Sequence, residues 1–284
     1  MCRRCVIAIT IVYTTEMKKW LRITGVVFGA LLITALGIDA SDTLHGSTGT
    51  LLSRVIATDT SACPQGMRLV DTIPTLTCVD IYEASPGKNC PVSYPSQIIS
   101  TQQNIESKEC NAESKPHVKP WGYITRDQAM QMCARDGKRL PTSTEWYQLS
   151  LSMRSVEQTC NVQSKNISDT GAFDECVSIQ GIHDLVGNVW EWMSDDVING
   201  IYNARSLPSS GYVSQVDAQG VAVNVSTDAQ DLFGKDYFWS RADGAYGMIR
   251  GGYYDSGSDA GIYTIHADTL PTTASIGIGF RCVK

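Results

Sequence analysis

The chain ends in IRGGYYDSGSDAGIYTIHADTLPTTASIGIGFRCVK, Ile249–Lys284. Two compact motifs bracket this tail, Arg250-Gly251-Gly252 and Gly279-Phe280-Arg281-Cys282. Between them Tyr, Asp, Ser, Thr, His, Ile and Gly follow one another with neither a helical nor a strand period. The run therefore does not read as an amphipathic core element. Its residue types are those of a recognition surface, where rigid aromatic rings give contact area and small polar groups give adaptable hydrogen bonds.

Just upstream, from Gly181 onward, short apolar bursts alternate with Gly and Asp, as in loop-rich β structure. The block Asp184-Leu185-Val186-Gly187-Asn188-Val189-Trp190-Glu191-Trp192 stands out. Trp190 and Trp192 alternate with Glu191, so two indoles fill the core while the acid points elsewhere. Gly187-Asn188 suits a tight turn. Farther back are two helices with capping boxes. Thr125 and Gln128 start one that stops at Gly137; Thr142 and Glu145 start the next. In the second, Trp146, Leu149 and Met153 form a core-facing stripe. Arg139 and Arg281 are candidates for buried ion pairs. Met67–Val70 and Thr77–Tyr82 read as two short strands around a Pro74 turn. Residues 85–120 and 154–180 read as disulfide-pinned loops. Asn166-Ile-Ser and Asn224-Val-Ser match the glycosylation pattern, which is common by chance.

The N-terminus reads as an export segment. Met17-Lys18-Lys19-Trp20-Leu21-Arg22 is basic, Ile23–Ile38 is apolar, and small residues around Ala40 offer a cleavage point. Residues 1–40 are thus a signal peptide or an N-terminal membrane anchor, with Met17 as an alternative start. Residues 41–62, rich in Ser, Thr and Gly, read as a flexible spacer. Residues 63–284 form the domain. The 284-residue chain carries a net charge of −6. Beyond residue 40, 18 basic residues stand against 27 acidic ones, or −9. That excludes a phosphate-backbone binder, which needs a basic patch.

Eight cysteines follow residue 40, and none of them has CxxC zinc spacing, so disulfides and an oxidising compartment are expected. Eight cysteines admit 105 pairings, and sequence alone does not choose among them. Joining sequential neighbours, Cys63–Cys78, Cys90–Cys110 and Cys160–Cys176, would leave Cys133 for Cys282. The four histidines, His45, His117, His183 and His266, are scattered, and no hydrolase, zinc-protease or phosphate-loop motif is present. Asp195-Asp196 is a paired-acid candidate, but such pairs are usually solvated.

Three blocks line up: Gly137-Lys138-Arg139-Leu140-Pro141-Thr142 with Glu145-Trp146, the Asp184–Trp192 segment, and the two motifs of the tail. In order and spacing they resemble the formylglycine-generating enzyme, or sulfatase-modifying factor, family. Cys78–Ser85 is similar to that family's first strand, and the likeness covers about residues 63–284. The resemblance implies an α+β, C-type-lectin-like fold: two helices, short strands and long disulfide-stapled loops. It also implies the Cys133–Cys282 bridge, between the first helix and the last motif. Family members bind calcium near the Asp184–Trp192 segment, which makes Asn188, Glu191 and Asp184 candidate ligands, although solvated acids are the commoner reading of such residues. No other cofactor is expected. The family reaction uses two cysteines that hold copper, for which thiolates suit as soft ligands. Those positions fall at about Ser256 and Gly261, so the resemblance implies a fold without the family's chemistry.

The tail is also similar to the variable region of diversity-generating retroelement proteins, which present a hypermutated ligand-binding face on this same fold. Template-adenine mutagenesis turns Asn codons into Tyr, Asp, Ser, His and Thr codons, among others. The resemblance assigns residues 249–284 as the variable region. Its ligand-facing residues are Tyr253, Tyr254, Asp255, Ser256, Asp259, Tyr263, His266, Asp268, Thr269, Thr272 and Ser275. Gly257-Ser258, Ala260-Gly261, Pro271 and the final motif would be the fixed frame. Tyr237-Phe238-Trp239 and Tyr246 extend this face or pack beneath it. The expectation is an exported, surface-displayed, non-catalytic protein that binds a macromolecular ligand, a protein or a cell surface. It would touch no nucleic acid and meet a membrane only through its N-terminus. The alternatives are an oxidoreductase of the family type and a fixed structural domain of the same fold.

Overall fold

In the computed structural model residues 63–153 and 156–284 are described. The expected signal or anchor (1–40) and spacer (41–62) lie outside the described residues. Strands β1 (Met67–Leu69) and β2 (Cys78–Asp80) pair antiparallel around the Pro74 turn. The segment similar to the family's first strand bends after Asp80 and resumes as β3 (Ala84–Pro86), which pairs with β4 (Ala112–Ser114).

Helix α1 (Ile98–Glu106) lies inside the region expected to be a loop, and among the described residues it makes three main helices where two were expected. Its concealment in the sequence has a physical cause. No side chain caps its N-terminus, and its buried residues are Ser100, Thr101, Asn104 and Ile105, so no apolar stripe marks it. Polar bonds hold it instead. Asn104 clamps the Val92 backbone with two 2.8 Å hydrogen bonds, and the Trp121 indole donates to Thr101 at 3.2 Å.

Helices α2 (Arg126–Arg135) and α3 (Ser143–Ser150) start as expected, each with both halves of its capping box formed. Trp146, Leu149 and Met153 are buried, although Met153 lies just past the helix. A single turn, α4 (Val156–Thr159), interrupts the second expected loop.

From Trp190 onward the chain builds a mostly antiparallel sheet. Its strands are β5 (Trp190–Ile198), β6 (Ile201–Tyr202), β7 (Arg205–Ser206), β8 (Gly211–Val216), β9 (Ala222–Ser226), β10 (Tyr237–Trp239), β11 (Ala245–Arg250), β12 (Ile265–Thr269) and β13 (Ile278–Gly279). The spatial order is β7-β6-β5-β11-β12-β10-β8-β9, with β13 parallel beside β5. The tail thus contributes a central strand. The reading of no strand period there is corrected, because Ile265 and Ala267 point inward while His266 and Asp268 point outward. Five residues with only one large apolar side chain carry too weak an alternation to read.

Side chains alternate across a strand, so the sheet has two apolar faces. One buries Met193, Val197, Val213, Phe238, Met248 and Ile265 with Trp146 and Leu149 of α3. The other buries Trp190, Trp192, Ile249 and Ile278 with Ala129 and Met132 of α2. Trp190 and Trp192 fill the core as expected. The disulfides are Cys63–Cys78, Cys90–Cys110, Cys133–Cys282 and Cys160–Cys176. Cys133–Cys282 ties α2 to the last motif of the tail across a sequence separation of 149 residues.

Candidate functional site

The two motifs that bracket the tail are its anchors. Arg250 is fully buried and bears on α3 and the tail at once. It donates to the Ser143 hydroxyl at 2.8 Å and to the carbonyls of Ile262 and Gly220 at 2.9 Å each. Its guanidinium lies 5.3 Å from the Trp146 ring centroid and 5.6 Å from that of Tyr147. Burial lowers its pKa to about 10, still well above neutrality. Gly251 and Gly252 follow with φ of 96° and 84°. A side chain at Gly251 would meet the Leu185 carbonyl at 2.4 Å, so glycine is required there.

Arg281 anchors the other end. It pairs with Glu191 at 2.5 Å, and both side chains are 0% exposed. It also donates to the carbonyls of Asp80 at 3.0 Å and His183 at 2.8 Å. The Trp146 indole donates to Glu191 at 2.9 Å, so α3 is wired to the same pair. Glu191 thus points away from the two indoles as expected, but into a second interior rather than into solvent. Arg139 and Glu145 also pair, at 2.7 Å.

Between the anchors, the structure distributes the eleven expected ligand residues. Tyr253, His266, Thr269 and Ser275 line one cavity of about 360 Å³, with Trp190, Ile249, Thr273, Gly277 and Ile278. His266 Nδ1 sits 3.0 Å from an Asp268 carboxylate oxygen, which attaches Asp268 to this group. Asp255 and Ser256 line a second cavity of about 460 Å³ with Gln163, Lys165, Gly257 and Ser258. Tyr254 stacks edge-on against Tyr253, 4.9 Å between centroids. Its main chain joins the two cavities, accepting from Lys165 N at 3.0 Å and donating to the Asn188 carbonyl at 3.1 Å. Thr272 is exposed outside both.

Tyr263 departs from the expectation, and Asp259 is tied into the same loop through its backbone. The Tyr263 ring packs between Tyr147 and Phe233, at 5.8 and 5.4 Å, on the α3 side of the sheet. Asp259 serves its own turn, its carbonyl accepting from the Thr264 hydroxyl. Both belong to a loop held by Asp236, which accepts from Tyr263 N at 2.7 Å. Burial pushes the Asp236 carboxyl up to about 8.

Aromatics outside the tail widen the first cavity. Trp239 stacks on His266, with centroids 3.9 Å apart and planes 6° apart. Tyr237 packs against Trp239 at 4.6 Å, and Tyr212 against Tyr237 at 5.0 Å. These rings stand on neighbouring strands β12, β10 and β8, on the face that α2 covers only over β5 and β11. Phe238 points the other way and is core, and Tyr246 packs against the same opposite core. Of the four aromatics upstream of the tail, only Tyr237 and Trp239 therefore extend the face. Tyr212 was missed, because nothing in the local sequence reveals that β8 neighbours β10.

Calcium does not fit the atoms expected to hold it. The Asn188 amide oxygen already accepts from Asn161 at 3.1 Å and from Ser168 N at 2.9 Å. Both Glu191 oxygens accept from Arg281, whose charge opposes a cation there. Asp184 accepts from Gly171 N at 2.6 Å and is buried. Glu83 joins this interior, accepting from the Asn188 amide at 2.6 Å and from Val189 N at 3.1 Å. Burial drives Glu83 well above the usual carboxylate range, with the neighbouring Asp184 and Glu191 charges adding to it. Burial likewise lifts Asp184 to about 6. The reading of Asp184 and Glu191 as solvated acids is corrected, since both are buried and hydrogen-bonded. Asp195 and Asp196 are structural too. Asp195 accepts from Ser143 N at 2.6 Å and Tyr202 at 2.8 Å, and Asp196 pairs with Arg126 at 2.6 Å.

Comparison with known proteins places residues 148–284 under the model of the sulfatase-modifying factor enzyme 1-like domain. This is the family that the three motif blocks resemble, and the fold is α+β and C-type-lectin-like. No curated protein sequence matches the chain. Among solved structures it is similar to the Major Tropism Determinant I1 variant, at 17% identity and a TM-score of 0.46, over 78% of this chain and 52% of that one. The chain therefore spans about half the length of that protein. It is also similar to CarF (13% identity, TM-score 0.37, covering 73% and 85%). A third is Treponema denticola variable protein 1 (14% identity, TM-score 0.35, covering 61% and 72%).

Proposed function

We propose that this sulfatase-modifying-factor-type domain is a binding protein, exported and displayed at a cell surface, whose tail is the hypervariable face of a diversity-generating retroelement target. The observation that carries the reading is the division within the tail. Its bracketing motifs are buried and bonded, while Tyr253, Tyr254, Asp255, His266, Asp268, Thr269 and Ser275 lie around two surface cavities. Rings and small polar groups over cavities give a face that can be re-lettered without touching the core. Four disulfides support an oxidising compartment. The ligand is a macromolecule, a protein or another cell surface.

The family oxidation is not proposed for this chain. Every cysteine among the described residues is in a disulfide. At Ser256, about where the first of the family's thiols falls, the hydroxyl accepts from Tyr253 N at 3.0 Å. At Gly261, the second, a Cβ would lie 2.1 Å from an Asp236 oxygen. A thiolate there would displace the carboxyl that holds the loop.

Sequencing the gene's 3′ end and its flanking DNA from many individuals tests the proposal. The expected result is a nearby near-copy differing mainly at adenines, beside a reverse transcriptase gene, with substitutions concentrated at the cavity residues. A tail identical in all individuals, with no such copy, would reduce the protein to a fixed lectin-like domain.

A further inference from the structure

The cavity bounded by Tyr253 and His266 has a chemistry that selects its occupant. Trp190, Ile249 and Ile278, on β5, β11 and β13, are nearly buried and form its floor. Tyr253 and His266 form its walls. A 3.0 Å contact joins His266 Nδ1 to an Asp268 carboxylate oxygen and brings an acid to the edge of the cavity. The hydroxyls of Thr269 and Ser275 add further acceptors.

The surrounding charge is one-sided. The tail carries Arg250, Arg281 and Lys284 against Asp255, Asp259 and Asp268. Both arginines are 0% exposed, so apart from the terminal lysine the tail shows the solvent only acids. Nearby Arg126 is paired with Asp196 at 2.6 Å, and Lys165 belongs to the second cavity.

We infer that this cavity receives a lysine or arginine side chain of a basic protein partner. The inference rests on the binding role proposed above and specifies its partner. Indole and phenol rings attract a cation through their negative faces, and Asp268 supplies a counter-charge through His266. Competing occupants fit less well. Neither lysine nor arginine stands among the described residues lining the cavity to meet a carboxylate or phosphate. An aliphatic side chain would make no use of the Asp268 carboxylate or of the Thr269 hydroxyl. The half-exposed Tyr237 and Tyr212 continue the same surface and would meet the aliphatic stem and flanking residues of the partner.

The test titrates the purified full-length chain with acetyl-Gly-Arg-Gly-amide up to tens of millimolar, following tryptophan fluorescence. The glutamine, norleucine and lysine counterparts and a neutral oligosaccharide, maltohexaose, are compared. Arginine and lysine peptides should bind, roughly three- to tenfold more tightly than the glutamine and norleucine peptides. Asp268→Asn and Tyr253→Leu should each lose roughly that factor, Tyr253→Phe should restore it, and added salt should weaken it. Glu109→Gln removes an equal charge at an exposed position outside the cavity and should change nothing. Equal binding of norleucine, tighter binding of the oligosaccharide, no response to any peptide, or indifference to Tyr253→Leu would each overturn the inference. Melting curves of the variants separate lost binding from lost folding. An arginine response with an invariant tail would sink the diversified-face reading and keep this one. A varying tail with no arginine response would do the reverse.

Discussion

The two ends of the tail and its middle both carry polar and charged residues and behave oppositely. At the ends, Arg250 and Arg281 are fully buried, and each touches several separate parts of the chain. In the middle, Asp255 and Thr272 are exposed, and Tyr253, His266 and Ser275 border a cavity. Polarity alone does not tell a recognition residue from a structural one. What differs is whether the polar group has a fixed partner. A buried charge without its partner costs several kcal/mol, so the ends are constrained, whereas water can hydrogen-bond the polar groups of the middle whatever residues stand there.

The sharpest way to break the comparison is Arg281→Ala. It strands Glu191 beside Glu83 and Asp184 in the interior and should cost about 3–5 kcal/mol in denaturant unfolding. A loss under about 1 kcal/mol, the scale of surface substitutions, would mean that this end does not carry the fold. Next comes Cys133→Ala with Cys282→Ala, which releases the tail from α2. The expected loss is about 2–5 kcal/mol by the same measurement.

The Asp236 loop sharpens the comparison by pH. Asp236 titrates at about 8 in the fold against 3.8 when unperturbed, so the folded state prefers it neutral. Its contribution is fully present below pH 3.8 and is lost as pH rises through about 8. Measured against Asp236→Asn, the wild type should lose relative melting temperature from pH 5 to pH 9. A constant difference across that range would place Asp236 in water. The smallest stability effect belongs to the middle itself. Tyr254→Ala with Asp255→Ala should change stability by no more than about 1 kcal/mol while abolishing ligand capture in a pull-down.

Much of this division was legible before the structure. Capping boxes at Thr125 and Thr142, the Trp190/Trp192 alternation and cysteine spacing are local signals, and they describe α2, α3 and the core. Helix α1 was not legible, because its buried face is Ser, Thr and Asn with only one apolar residue, Ile105, and is held largely by hydrogen bonds. Strand β12 was hidden by its shortness and by His and Asp on its outer face. The candidate residues were legible by type but not by grouping. Tyr263 has the composition of a recognition residue, yet lies against Tyr147 and Phe233, because the Asp236 turn aims it inward. The acids Asp184 and Glu191 looked solvated because the partner that justifies their burial, Arg281, lies far away in sequence.

A scan of single substitutions along Ile249–Lys284, scored by protease resistance of the folded chain, bears most directly on the division. Tyr253, Tyr254, Asp255, His266, Asp268, Thr269, Thr272 and Ser275 should accept most residues. Arg250, Gly251, Gly252, Arg281 and Cys282 should accept almost none, with Tyr263 closer to the second group. Uniform sensitivity along the tail, or tolerance at Arg250 and Arg281 with sensitivity at the cavity residues, would contradict a fold carried by the ends and a middle left free for recognition.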